Sequence, residues 1–251
     1  SFYYLLEGKY IISSILLGFG QLVKPIAIFA LPVYLIYMIS KKVSFKKILL
    51  FLILLVTVVI AAFIPFNNFD NIFRFIIDRH SVTANQYPYT SVNAFNFWSI
   101  VTKLWEPDKH TFLDINFQTW GYLLFGSVYL FLIGALFILI KKVSNSTLLL
   151  TTILSLIFLG MFIFLTRMHE RHIYYGLAFL SLLIPDFNIF SIVLIVILYF
   201  IHLINLYYPY SQATTNPLFL SQHAIVFFSV LNFAIFIYFL AIFISKYSKN
   251  K

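Results

Sequence analysis

Eight apolar segments restrict what this chain can fold into more than any other feature of its sequence. Of its 251 residues, 62% are hydrophobic and 10% are charged, which is more apolar surface than a water-soluble domain of this length can bury. A membrane-crossing α-helix needs about 20 apolar residues, and fewer where it enters only part of the way. The sequence therefore predicts an all-α fold, a polytopic transmembrane helical bundle of about eight transmembrane or re-entrant helices. The candidate segments are Gly8 to Leu22, Pro25 to Ile39, Phe45 to Phe66, Thr119 to Ile140, Ser146 to Leu165, Ile173 to Ile184, Asn188 to Tyr208 and His223 to Ser245.

The charged residues divide unevenly between the two ends of these segments. Short loops rich in lysine stay cytoplasmic, and ten of the 13 lysines fall on one side when eight alternating crossings are drawn. The other side receives all four arginines and six of the eight acidic residues. We expect a multi-pass protein of the bacterial cytoplasmic membrane with its active face extracytoplasmic. Because the net charge of +9 is explained by these topology signals, nucleic acid is not an expected partner.

Three polar elements are expected on the extracytoplasmic side, namely residues 67–118, 166–172 and 209–222. Within the first, apolar residues recur at helical spacing opposite charged ones, which predicts an amphipathic helix at the membrane surface. The apolar set is Phe69, Ile72, Phe73, Phe75 and Ile76, and the charged set is Asp70, Arg74 and Asp78. Since no internal repeat or flexible linker is evident, residues 1–251 are expected to form a single transmembrane domain with an extracytoplasmic loop at 67–118.

The segment Thr166 to His172 carries the strongest functional signal. Its sequence, Thr-Arg-Met-His-Glu-Arg-His, concentrates charge between two apolar segments, where ionisable residues are costly and usually functional. On a helical extension Arg167 and Arg171 would share one face, as would His169 and His172, and a guanidinium suits a phosphate. Glu170 could orient an arginine or accept a proton. The alternative is that these side chains contact lipid headgroups.

Other polar residues extend this hypothesis. Lys24, placed in the outer part of the bilayer, either contacts a lipid phosphate or reaches the surface. Asn93, Asn96 and Trp98 could bind a sugar, although asparagine also caps helices and tryptophan also lies at membrane interfaces. The loop residues Glu106, Asp108, His110 and Asp114 could supply an acid or base, or could simply be solvated.

Metal binding has only a weak signal. The chain has no cysteine, and the two histidines of Thr166 to His172 lack the spacing that places both imidazoles over one zinc ion. No cofactor is expected, although a divalent metal stays open.

The stretches Thr166 to His172 and Asn93 to Trp98, with residues 18–25 upstream, resemble the bacterial GT-C membrane glycosyltransferases related to GPI mannosyltransferases. The resemblance implies a mannosyltransferase-like enzyme that transfers a sugar from a polyprenyl-phosphate donor to a glycan, lipid or protein acceptor, with inversion. It also implies that this chain is the C-terminal part of a longer one. The catalytic acid expected in the first extracytoplasmic loop of such enzymes would then precede Ser1.

By this resemblance the substrate-binding candidates are Lys24, Asn93, Asn96, Trp98, Arg167, His169, Glu170, Arg171 and His172. Membrane lipids are the further expected partners. The competing hypothesis is a transporter or flippase of an anionic or lipid-linked solute, and a third is a structural membrane subunit. Transporters usually show repeats and broken helices at the membrane midplane, whereas here the polar residues gather on one face.

Overall fold

The computed structural model describes residues 1–66, 71–212 and 220–248, and these residues are mostly helical. Five helices among them are long and apolar enough to cross a membrane, so the prediction of an all-α membrane protein is confirmed at that level. They cover Phe45–Phe66, Phe117–Leu139, Ser146–Phe164, Ile189–Ser211 and Gln222–Tyr247. The remaining predicted segments form shorter helices, and the number of crossings stays a prediction.

The chain divides into two compact units, Ser1–Gln86 and Tyr87–Lys251. In the first unit, α2 (Tyr10–Val23) and α4 (Phe45–Phe63) pack along each other. Gly18 permits a close approach there, since a Cβ added to it would lie 2.9 Å from the Val58 side chain. The helices of this unit are α1 (Phe2–Leu6), α2 (Tyr10–Val23), a 3₁₀ turn (Pro25–Ala30), α3 (Leu31–Ser40), α4 (Phe45–Phe63), a second 3₁₀ turn (Ile64–Phe66) and α5 (Ile72–Ala84).

Helix α5 is the amphipathic helix that the sequence predicts. Asn71 caps it, its side-chain oxygen accepting a hydrogen bond from the Arg74 amide at 3.0 Å. The exposed Arg74 and Asp78 follow at helical spacing, while Phe69 and Asp70 of the same prediction lie outside the described residues.

The described residues of the second unit form four long helices and a polar region with short strands. Its elements are β1 (Ser91–Val92), α6 (Phe97–Val101), β2 (Thr111–Phe112), β3 (Ile115–Asn116), α7 (Phe117–Leu139), α8 (Ser146–Phe164), β4 (Met168–His169), a 3₁₀ turn (Glu170–Ile173), α9 (Tyr174–Ser181), a 3₁₀ turn (Ile184–Asp186), α10 (Ile189–Ser211) and α11 (Gln222–Ser248). Contrary to the predicted end at Tyr208, α10 continues through Pro209.

Helix α8 is the centre of the second unit. Within its most apolar window 83% of the residues are buried, against 17% for α7 and 33% for α10. Helix α9 packs closely on it at Gly176, where an added Cβ would lie 2.6 Å from the Leu159 side chain. Because neighbouring helices enclose α8, packing fixes the position at which the following segment begins.

Candidate functional site

The segment that follows α8 is not a helical extension. Arg167 has a left-handed backbone with φ of +63°, Met168 and His169 form β4, and a 3₁₀ turn begins at Glu170. Strand β4 pairs in parallel with β1, with His169 opposite Val92. The expectation that residues three and four apart share a helical face is therefore not met.

This pairing joins two stretches that are far apart in the sequence. Besides the strand pair, Asn93 and His169 form an isolated antiparallel bridge. We call residues 91–98 and 166–173 together the polar platform. Its two parts are the stretches on which the family resemblance is based, with a few flanking residues.

Arg167 is held inside the polar region. Its Nε donates to Asp108 Oδ2 at 2.6 Å, and the two side chains are only 17% and 3% exposed. When the Gln118 amide is oriented to satisfy its neighbours, its oxygen accepts from both terminal nitrogens of Arg167, at 3.3 and 3.1 Å. The Arg167 amide also donates to the Tyr89 carbonyl. These contacts fix the start of the platform. Asp108 is therefore buried beside Arg167 and is not the solvated loop residue that the sequence left as one possibility.

Arg171 has a different environment. Its side chain is 55% exposed, and its Nη1 donates to Glu170 Oε1 at 3.0 Å, whereas the Glu170 side chain is only 10% exposed. A guanidinium has five N–H donors, and this bond involves one of the two terminal nitrogens. Glu170 therefore orients the guanidinium, and the other N–H donors of this half-exposed side chain could bind a phosphate oxygen.

His169 and His172 cap each other's backbone. The His169 amide donates to His172 Nδ1 at 3.1 Å, and the His169 side chain accepts from the His172 amide. Each ring therefore uses one nitrogen as an acceptor, which only a neutral imidazole can do at that atom. The rings stand nearly perpendicular at 5.4 Å, and Tyr87 meets the His169 ring edge-on at 5.0 Å. These contacts cap the 3₁₀ turn that begins at Glu170.

Asn96 and Trp98 are buried, with 0% and 2% exposure. The Asn96 side chain accepts from the Trp98 amide at 3.1 Å and donates to the Phe162 carbonyl at 3.1 Å. Trp98 Nε1 donates to the Phe164 carbonyl at 2.8 Å. These contacts tie α6 to the end of α8, where the last carbonyls of a helix lack partners of their own. The substrate-binding role predicted for these two residues stays a prediction, and the contacts described are structural.

Asn93 is partly exposed and has a left-handed backbone with φ of +61°. Its side-chain oxygen accepts from Trp105 Nε1 at 2.8 Å. Among the three predicted residues of this stretch, Asn93 is the one with a side chain at the surface of the platform.

Sequence reasoning missed two asparagines that fix the platform from the neighbouring helices. Asn205 of α10 accepts from the Phe95 amide at 3.0 Å and donates to the Asn93 carbonyl, while Asn232 of α11 donates to the Phe95 carbonyl at 2.7 Å. Both are almost fully buried. The available signal was their position in apolar helices, because an amide there must find a hydrogen-bond partner.

Lys24 lies between α2 and the following 3₁₀ turn, with extended backbone and a partly exposed side chain. It belongs to the first unit and Arg171 to the second, so the convergence predicted for these two residues stays a prediction. Among the described residues, no group of three or more His, Cys, Asp or Glu side chains could hold a metal ion.

Comparisons with protein-family models, with curated proteins and with solved structures found no match for this chain.

Proposed function

We propose that this chain is the membrane part of a glycosyltransferase of the GT-C type, which transfers a sugar from a polyprenyl-phosphate carrier to an acceptor at the extracytoplasmic face of a bacterial cytoplasmic membrane. One observation carries the proposal. The two stretches that resemble such enzymes, Asn93 to Trp98 and Thr166 to His172, lie far apart in sequence and meet through the bridge between Asn93 and His169. A functional site assembled from both motifs would require this meeting.

The platform suits the departure of a phosphate. In the reaction an acceptor hydroxyl bonds to the anomeric carbon, the bond from that carbon to the phosphate oxygen breaks, and the hydroxyl proton passes to a base. The polyprenyl phosphate leaves with the electron pair and gains negative charge. A fixed cation beside that oxygen stabilises the transition state because it needs no reorganisation as the charge develops. Arg171, oriented by Glu170 at 3.0 Å, is the cation that we assign to this role.

The remaining platform residues have supporting roles in this proposal. His169 and Asn93 lie beside each other at the bridge, where their polar atoms could contact the sugar. Arg167 and Asp108 hold the segment from within. The base in this proposal is the carboxylate that such enzymes carry in their first extracytoplasmic loop. We assign it to no residue of this chain.

The test uses the full-length protein in lipid vesicles with polyprenyl-phosphate mannose as donor. We expect Arg171→Ala to lower turnover by on the order of 10²-fold, in the range found for removal of one transition-state donor. Arg171→Lys should recover part of the rate, since it keeps the charge and loses the fork geometry. Arg74→Ala is the control, because that arginine is 82% exposed and pairs only at 3.9 Å with Asp78.

Product analysis separates transfer from transport. Release of sugar-free polyprenyl phosphate together with a glycosylated acceptor supports the proposal. Movement of the intact donor between leaflets, with no released polyprenyl phosphate, would contradict glycosyl transfer and identify a flippase. Equal turnover in Arg171→Ala and Arg74→Ala would remove the role given to Arg171.

A further inference from the structure

A cavity of about 500 Å³ lies in the first unit, where α2 and α4 begin. Its size falls within the range of about 300 to 1,000 Å³ that is usual for small-molecule sites. The residues around it come from the turn before α2, from the first turn of α2 and from the first two turns of α4. They are Gly8, Lys9, Tyr10, Ile11, Ile12, Lys47, Leu50 and Phe51.

Two contacts join the helix pair at one end of the cavity and beyond it. Ser14 of α2 donates a hydrogen bond to the Phe51 carbonyl of α4, and Gly18 lets the helices approach closely beside Val58. Both contacts lie further along the two helices than Lys9 and Lys47. Because Phe51 also lines the cavity, the helices are joined at its far end, and the space lies among the side chains of their first turns.

The lining combines two kinds of surface. Lys9 and Lys47 are exposed and bring two positive charges, and the carboxylate of Glu7 is not part of the lining. The remaining walls are mainly apolar, and Ile11, Ile12 and Leu50 are 53%, 43% and 41% exposed. A ligand that satisfies both surfaces needs an anionic group beside an aliphatic part.

We infer that this cavity binds an anionic phospholipid, with the phosphate between Lys9 and Lys47 and the upper part of an acyl chain against Ile11, Ile12 and Leu50. Basic pockets between membrane helices bind anionic headgroups by the same attraction. A free phosphate would leave the apolar wall without a partner. A second copy of the chain meeting the same surface would place like charges against each other. The inference is independent of the proposed glycosyl transfer.

The experiment measures lipid binding to the purified full-length chain in detergent by native mass spectrometry. The probes are phosphatidylglycerol and phosphatidylcholine with identical acyl chains, and glycerol 3-phosphate as a headgroup without a chain. We expect phosphatidylglycerol to bind more tightly than phosphatidylcholine. Lys9→Gln/Lys47→Gln should weaken phosphatidylglycerol binding by about fivefold for each lysine, on the order of 30-fold in total.

Two further variants keep the test decisive. Lys141→Gln/Lys142→Gln removes the same charge at a lysine pair outside the cavity, and should bind phosphatidylglycerol as the unaltered chain does. Leu50→Trp leaves both lysines in place and fills the cavity, and should also weaken binding. Leu50 is partly exposed, so the change is expected to leave folding intact, which the same spectra check through the mass and charge distribution.

Three outcomes would overturn the inference. Equal losses in the two double-lysine variants would reduce the effect to general surface charge. Competition by glycerol 3-phosphate at concentrations equal to those of the lipid would make the cavity a site for free anions. A dimer of the unaltered chain that binds no lipid and dissociates in Leu50→Trp would identify a second copy as the occupant.

Discussion

Arg167 Nε lies 2.6 Å from Asp108 Oδ2, and 59 residues separate the two in the sequence. Both side chains are largely buried, and the contact joins the loop before α7 to the segment after α8. The two arginines of Thr166 to His172 therefore lie in different environments. Arg167 balances a buried carboxylate, while Arg171 is half exposed and can meet a ligand.

Breaking this ion pair should destabilise the fold. Asp108→Asn keeps the shape of the side chain and leaves the Arg167 charge without its carboxylate, which for a buried pair costs about 3 kcal/mol or more. Asp78→Asn is the matched control, since Asp78 and Arg74 are 62% and 82% exposed and such pairs contribute about 0.5 kcal/mol. Chemical denaturation in mixed micelles measures both free energies of unfolding. Similar losses in the two variants would contradict a structural role for the buried pair.

Trp98→Phe should weaken the junction between α6 and α8. The change retains a large ring but removes the Nε1 donor, so the Phe164 carbonyl loses its 2.8 Å hydrogen bond in a buried position. We expect a cost of about 1 to 3 kcal/mol in the free energy of unfolding. Trp105→Phe removes a bond of the same length to Asn93 from a side chain that is 42% exposed, where water can replace it. A cost no larger than in this control would show that the Trp98 bond is dispensable.

Gly176→Ala should separate α9 from α8. The new Cβ would lie 2.6 Å from Leu159 Cγ and 2.9 Å from the Leu159 backbone nitrogen, so backbone would have to move. Overpacking of this kind costs about 1 to 3 kcal/mol. Gly126→Ala in α7 meets nothing within 4 Å and should leave the melting temperature unchanged or raised, because alanine favours helix by up to about 1 kcal/mol. Comparison of the two melting temperatures tests the prediction, and a higher value for Gly176→Ala would refute it.

His172→Phe should expose the backbone of the platform to exchange. The variant removes the Nδ1 that accepts from the His169 amide at 3.1 Å, whereas His172→Asn offers an oxygen near the same place. Hydrogen–deuterium exchange of peptides that cover residues 166–173 should be faster in the phenylalanine variant and close to the unaltered rate in the asparagine variant. Faster exchange in both, to the same extent, would mean that packing of the ring matters and the hydrogen bond does not.

The sequence predicts the helices well because their signals are local. Hydropathy places the long apolar helices within a few residues, and helical spacing finds α5 (Ile72–Ala84). The polar platform depends on partners that local patterns do not contain. The turn at Arg167 is set by β1 and Asp108, which both precede α7 and α8 in the sequence. Sequence spacing therefore suggested a helical face where the chain forms a strand pair and a 3₁₀ turn.

For the candidate residues, too, local sequence signals were informative and long-range contacts could not be predicted. Residue type alone marked Thr166 to His172 as unusual, and the structure joins that segment to the stretch at Asn93. Burial decides what each side chain can contact, and it depends on long-range packing. Asn96 and Trp98 are enclosed between helices, whereas Asn93, in the same stretch, is partly exposed.

The pairing of β1 with β4 determines when the platform can exist. A ribosome delivers residues 91–92 before α7 and α8 and residues 168–169 after both, so the strands can pair only after both helices have been synthesised. The amide of Asn232, which binds the Phe95 carbonyl, arrives later still, in α11. A nascent chain that is released early lacks this support, and the complete platform belongs to the fully translated protein.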